Sequence, residues 1–165
     1  MKNETVNALK GLFDAYDNRQ LTAQKQQARA KTEHELFLGN FDKLVLEIIR
    51  PTMEELSALI KSRGHHCEIT YEPETHNSRE KSTAARVKME IHPSQQLPRY
   101  VPPGEIPTLS FSAETYGDKI WTHVSTMMPG RGGSSGKHNE YTLESVTRET
   151  VENEVMHLLT GVFGR

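Results

Sequence analysis

Cysteine is nearly absent from this chain. Cys67 stands alone, which excludes an intrachain disulfide and points to a reducing compartment. Long apolar runs are missing as well. No stretch approaches the roughly 20 apolar residues of a membrane span, and the opening MKNETVNALKGLF lacks the uninterrupted apolar core of a signal peptide. The expected address is therefore the cytoplasm, with no membrane partner. Neither sign of charge dominates. Lys and Arg number 20 against 22 Asp and Glu, a net charge of −2, which argues against a general affinity for polyanions and leaves only local patches open.

Apolar content is low too, at 35%, beside 25% charged residues and a mean hydropathy of −0.66. That is wetter than an average compact domain, so part of the chain is expected to be extended in solvent or shared with another subunit. At 165 residues, one domain with an appended helical arm is expected. A chain of this size buries roughly 70% of its unfolded surface and needs no metal or disulfide staple.

What the chain does have is concentrated between Leu36 and Ile60, LFLGNFDKLVLEIIRPTMEELSALI. Phe37, Phe41, Leu44, Val45, Ile48 and Ile49 recur at three- and four-residue steps, the spacing of one stripe of an α-helix. Met53, Leu56, Leu59 and Ile60 continue the stripe beyond Pro51. That proline lacks an N–H and crowds the carbonyl four residues earlier, so it is expected to bend the helix, or to end one and start another. Upstream, Val6, Leu9, Phe13 and Tyr16 keep the same register, carried through Gln20, Ala23, Gln27, Ala30 and His34 to Phe37 and Ile48. A phase sustained this far has the 3.5-residue period of a coiled-coil seam, although its centre is polar and small.

Rival break points stand at Asp17-Asn18, at the capping-box pattern Thr32 to Glu35, and at Gly39-Asn40. A continuous helix from Thr5 to Arg50 would be about 69 Å long, whereas a break near Thr32 or Gly39 would make a hairpin. The middle stretch LTAQKQQARAK is nearly all good helix formers, which favours one long, straight or bent helix.

Arg63-Gly64 closes the helical region, with Gly64 just past the end. Strands are then predicted at His66 to Glu72 and at Ala85 to His92, where Val87, Met89 and Ile91 alternate with Arg86, Lys88 and Glu90. The connector THNSREKS is polar, and the proline-rich HPSQQLPRYVPPGEIP belongs at the surface. Thr108 to Tyr116 and Lys119 to Met128 form a β-hairpin, with Gly117-Asp118 as a two-residue type II′ turn. Trp121, His123, Ser125 and Met127 face one way in its second arm. PGRGGSSGKHNE reads as a flexible loop. A final amphipathic helix, Thr142 to Val162, offers Leu143, Val146, Val155, Leu158, Leu159 and Val162 to a sheet face. The fold class is thus α+β: a long N-terminal helical arm (residues 1–35), then an α+β domain (36–165) with a four-stranded antiparallel meander and a C-terminal helix packed on it.

Candidate chemistry is sparse. Gly130 to Lys137, GRGGSSGK, departs twice from a phosphate loop. Arg131 stands where the first glycine belongs, and His138 replaces the magnesium-binding hydroxyl, so a linker is favoured. His65-His66-Cys67-Glu68 gathers metal-type side chains, His65 and Cys67 on one face and His66 and Glu68 on the other, but no partner motif appears and a helix-to-strand junction with a buried Cys67 and solvent-facing histidines is favoured. Glu154 and His157 have the E-x-x-H spacing of carboxylate-bridged di-metal bundles, which need further helical glutamates; a charged stripe is favoured. His92 and His123 could pair across the sheet as acid and base, yet no nucleophile motif accompanies them. No metal, cofactor or catalytic residue is expected.

Three functions are weighed. The leading one is a non-enzymatic, self-associating interaction or adaptor protein. Val6, Leu9, Phe13, Tyr16, Phe37, Phe41, Leu44 and Ile48 would form its assembly interface, and its sheet and loops would meet a protein partner. The second is a nucleic-acid-binding accessory factor. Arg19, Lys25, Arg29 and Lys31 lie in a stretch without an acid, and Arg131 and Lys137 could add anion or partner contacts. The third is a small ligand-binding domain or enzyme, with a pocket between sheet and C-terminal helix near His92, Trp121 or His123.

Overall fold

The computed structural model describes residues 2–76, 82–93, 101–114 and 117–164. The middle parts of the polar connector (77–81) and of the proline-rich loop (94–100), and the end of the expected hairpin arm at Tyr116, lie outside the described residues. Packing divides the chain into two units, Met1–Phe37 and Leu38–Arg165.

Every residue from Asn3 to Ser62 is helical. Helix α1 spans Asn3–Leu44, a single wide π-turn follows at Val45–Ile49, and α2 spans Arg50–Ser62. The three candidate break points all fall inside α1, so there is no hairpin. Pro51 stands where α2 begins, although the backbone stays helical through it. It sits in the first turn of α2, directly after the π-turn, where the Arg50 N–H reaches back to the Val45 carbonyl. A wide turn adds one residue to the helical ladder, and the covered stripe moves accordingly. Val45, Ile49, Met53 and Ile60 are buried, Ile48 and Leu56 are half-buried, and Leu59 is exposed. Gly64, at φ 88°, takes the left-handed conformation that closes α2.

The sheet has five strands, β1 (His66–Glu72), β2 (Arg86–His92), β3 (Thr108–Ala113), β4 (Ile120–Ser125) and β5 (Ser135–Tyr141). They are antiparallel and in sequence order. The fifth strand takes up the second half of the flexible loop expected over 129–140. Its sequence, SGKHNEY, has no apolar alternation because it is an edge strand exposed along most of its length. The glycines before it make the turn, with positive φ at Gly130, Gly132 and Gly133 and a Met128–Gly132 bridge. The β3–β4 connection also differs from expectation. The Glu114 N–H donates to the Lys119 carbonyl, and Gly117 (φ 89°) and Asp118 (φ 50°) are both left-handed. A type II′ turn needs a positive φ only at its first central residue.

Strand alternation decides the core. Cys67, Val87, Met89, Ile91, Leu109, Phe111, Ala113, Ile120, Thr122 and Val124 are buried on one face. Helix α2 lies against β1, and α3 (Arg148–Phe163) lies against β3 and β4. Val151, Val155, Leu158 and Val162 of α3 are buried. Each such large side chain contributes about 1.5–3 kcal/mol on burial. The last helix begins six residues later than the periodicity implied, because two capping boxes follow one another. Thr142 and Ser145 close a short 3-10 turn at Leu143–Ser145, and Thr147 with Thr150 then caps α3.

Candidate functional site

The expected assembly seam divides into two parts with different fates. Near the start of α1, Leu9 is 40% exposed, Phe13 64% and Tyr16 53%, with Leu12 beside them at 67%. Val6 is half-buried. Leu12 and Leu21, also exposed, escaped the heptad reading because they lie off its seam. Further along, Phe37, Phe41 and Leu44 are buried within a single chain as core positions, and Ile48 is half-buried. Arg19, Lys25, Arg29 and Lys31 are exposed on α1, and at 100° per residue they spread around the helix rather than lining one stripe.

A second constellation centres on Glu154 of α3, whose side chain is 2% exposed. Its carboxylate accepts from Tyr141 Oη (2.5 Å) and Asn139 Nδ2 (2.7 Å), and lies 2.9 Å from His138 Nδ1. Burial alone would push its pKa up. The bonds from Asn139, Tyr141 and His138 outweigh that and hold it below the ordinary value of 4.5. The Tyr141 hydroxyl moves the other way, raised by burial and by its bond to Glu154. His157 stacks on His138, ring centres 4.0 Å apart and 8° from parallel. Glu154 and His157 therefore meet strand β5, not facing helices, and the donors around the carboxylate satisfy it as a buried acceptor. A shallow pocket of about 200 Å³ lies alongside, lined by Val124, Ser134, Gly136, Lys137, His138 and His157.

The candidate phosphate loop is not a cradle. Ser135 and Gly136 pair with Ser125 and Val124 in the β4–β5 ladder. Lys137 reaches Glu114 Oε1 at 3.3 Å and stands 4.3 Å over the Trp121 ring. Arg131 is exposed in the preceding turn.

The sheet face turned away from the core is polar. Glu72 holds Arg86 at 2.6 Å, and Lys88 bridges Glu72 and Glu90 at 3.5 and 2.9 Å. The hydrogen bond from Arg86, helped by the Arg86 and Lys88 charges, keeps the Glu72 carboxyl below its usual range against an upward push from burial. His66 lies opposite His92, and Glu68 opposite Glu90. His123 pairs with Ser110 of β3, one strand removed from β2, so it does not meet His92. Trp121, His123 and His92 share neither the face nor the space of α3, where apolar side chains fill the interval.

One apolar groove remains notable, about 550 Å³, between α2 and α3 with Leu56, Leu59, Ile60, Met156, Leu159 and Phe163 along it. Among the described residues no helix is long and apolar enough to cross a membrane.

The class that the fold defines is an α+β protein with a long N-terminal helix, a five-stranded antiparallel meander and a C-terminal helix on its apolar face. Comparison of the chain with protein-family models, with curated proteins and with solved structures finds no match.

Proposed function

We propose that this is a non-enzymatic, self-associating interaction protein in which the N-terminal part of α1 joins a second copy of the same helix. The observation that carries the reading is the exposed cluster of Leu9, Leu12, Phe13 and Tyr16. Four large apolar side chains within eight residues of one helix are costly in water, and an isolated helix gains no tertiary packing to offset them. The 3.5-residue phase from Val6 through Tyr16 and on through Gln20, Ala23, Gln27 and Ala30 supports a helical seam with another copy. Its polar centre makes the anchoring local to the Val6–Tyr16 stretch. The 38–165 unit then offers its surface to a protein partner.

Sedimentation velocity on the full chain tests this. The wild type is expected as a dimer or larger, and the double substitution L9E/F13E is expected to weaken association at least about 100-fold, roughly 2.7 kcal/mol. Leu59→Glu, in the α2–α3 groove, is expected to leave it unchanged. A wild-type monomer at high concentration, or association abolished by Leu59→Glu and untouched by L9E/F13E, would remove the reading.

A further inference from the structure

His66-Cys67-Glu68 on β1 and Glu90-Ile91-His92 on β2 are one pattern read in opposite directions. Antiparallel pairing sets them face to face, His66 against His92 and Glu68 against Glu90. Alternation puts all four polar side chains on the side away from Cys67 and Ile91, which are buried. One ligand atom from each of Glu68, Glu90 and His92 lies within 4.8 Å of the other two. The His66 and His92 ring centres are 5.6 Å apart.

This arrangement carries an electrostatic cost. Like charges directly opposite each other on a sheet are destabilising, and Glu68 with Glu90 is such a pair. Lys88 relieves only one member: its Nζ is 2.9 Å from Glu90 Oε1 and is shared with Glu72. Glu68 has no cationic partner among the described residues. The other Glu90 oxygen, Oε2, is turned to His92 Nε2 at 3.7 Å. A cation between the strands would answer the repulsion and use the remaining lone pairs.

We propose that Glu68, Glu90 and His92 bind a divalent transition-metal cation of the Zn²⁺ type, and that His66, opposite His92 but outside that converging trio, turns in as the fourth donor. Two imidazoles and two carboxylates are the donors such an ion takes in tetrahedral geometry, whereas Ca²⁺ and Mg²⁺ want six or more oxygens. With bonds of about 2.0–2.1 Å, tetrahedral donors stand about 3.4 Å apart. Glu68, exposed at the sheet edge, closes the difference by side-chain rotation. Glu90 gives Oε2 to the ion and keeps Oε1 on Lys88, which fixes the carboxylate from behind. All four donors lie in the 38–165 unit, so the site stands independently of self-association.

The test is a Co²⁺ titration of the full chain after chelator treatment, followed by visible absorption, with thermal melts in parallel. The wild type is expected to bind one ion per chain with Kd below about 100 µM, giving the intense absorption of a four-coordinate centre. His92→Ala is expected to abolish it and Glu68→Gln to weaken it at least about tenfold. His157→Ala, at the other histidine pair, is expected to leave it intact. The melts give a readout that a merely structural role would not: Glu68→Gln is expected to melt at or above the wild type without metal and to lose the metal-dependent rise. No saturable binding, binding that survives His92→Ala, or binding lost in His157→Ala overturns the proposal.

Discussion

At Glu154 a single carboxylate takes hydrogen bonds from three side chains of one strand. Removing it leaves Tyr141, Asn139 and His138 without their shared acceptor; the exposed His138 and Asn139 can turn to water, and the half-buried Tyr141 hydroxyl loses most. Glu154→Ala is expected to cost about 1–3 kcal/mol, and Glu154→Gln about 1, by chemical denaturation at pH 7. The pH dependence has a definite sign. A carboxylate held below its ordinary value of 4.5 in the folded state contributes fully above that pH, and the contribution is lost as pH falls through the lower folded value. The stability gap between wild type and Glu154→Gln is therefore expected to narrow below pH 4.5; a gap that widens there would contradict the assignment. The sequence showed Glu154 and His157 as neighbours on one helical face. It did not show Tyr141, Asn139 and His138, because they come from a strand without apolar signal.

At the scale of elements, helices and strands with one greasy side were legible and the all-polar edge was not. Val87, Met89 and Ile91 alternate, and so do Leu109, Phe111 and Ala113; all six are buried. The β5 strand is set instead by backbone geometry before it. A Cβ on Gly133 would stand 2.6 Å from the Thr126 carbonyl oxygen, at a φ of 149° that L-residues avoid. Gly133→Ala is expected to cost about 1–3 kcal/mol, and to show faster amide exchange over Ser135–Tyr141 than over β2 and β3. Equal exchange rates across the sheet would mean that the turn does not control the hairpin. Where α3 passes β4, Gly161 plays a similar part: a Cβ there would come within 2.5 Å of the Thr126 methyl.

Taken as a whole molecule, the chain has two units with different sources of stability. The 38–165 unit carries the sheet and nearly all of the apolar core, and Met1–Phe37 is a single helix exposed along most of its length. An isolated helix is cooperative only within itself and frays readily, even when its residues favour helix. Amide exchange over residues 5–30 is thus expected to be fast in dilute solution and to slow at least about tenfold as concentration rises, while exchange in the β2–β3 core stays constant. Concentration-independent exchange in the N-terminal helix would count against assembly through it.

Read alone, the sequence was enough for the helix-then-sheet order, the long helix, the first four strands and the C-terminal helix, because apolar periodicity and helix-forming composition are properties of each segment by itself. It also placed Phe37, Phe41 and Leu44 on the same stripe as Leu9, Phe13 and Tyr16. Only the tertiary structure separated them into covered and exposed sets, since a stripe has the same spacing whatever lies against it. The tertiary structure likewise decided the π-turn ahead of Pro51, the fifth strand, and the meeting of His66 and Glu68 with Glu90 and His92. Strand register is a relation between segments distant in sequence, and neither segment alone encodes which residue will stand opposite.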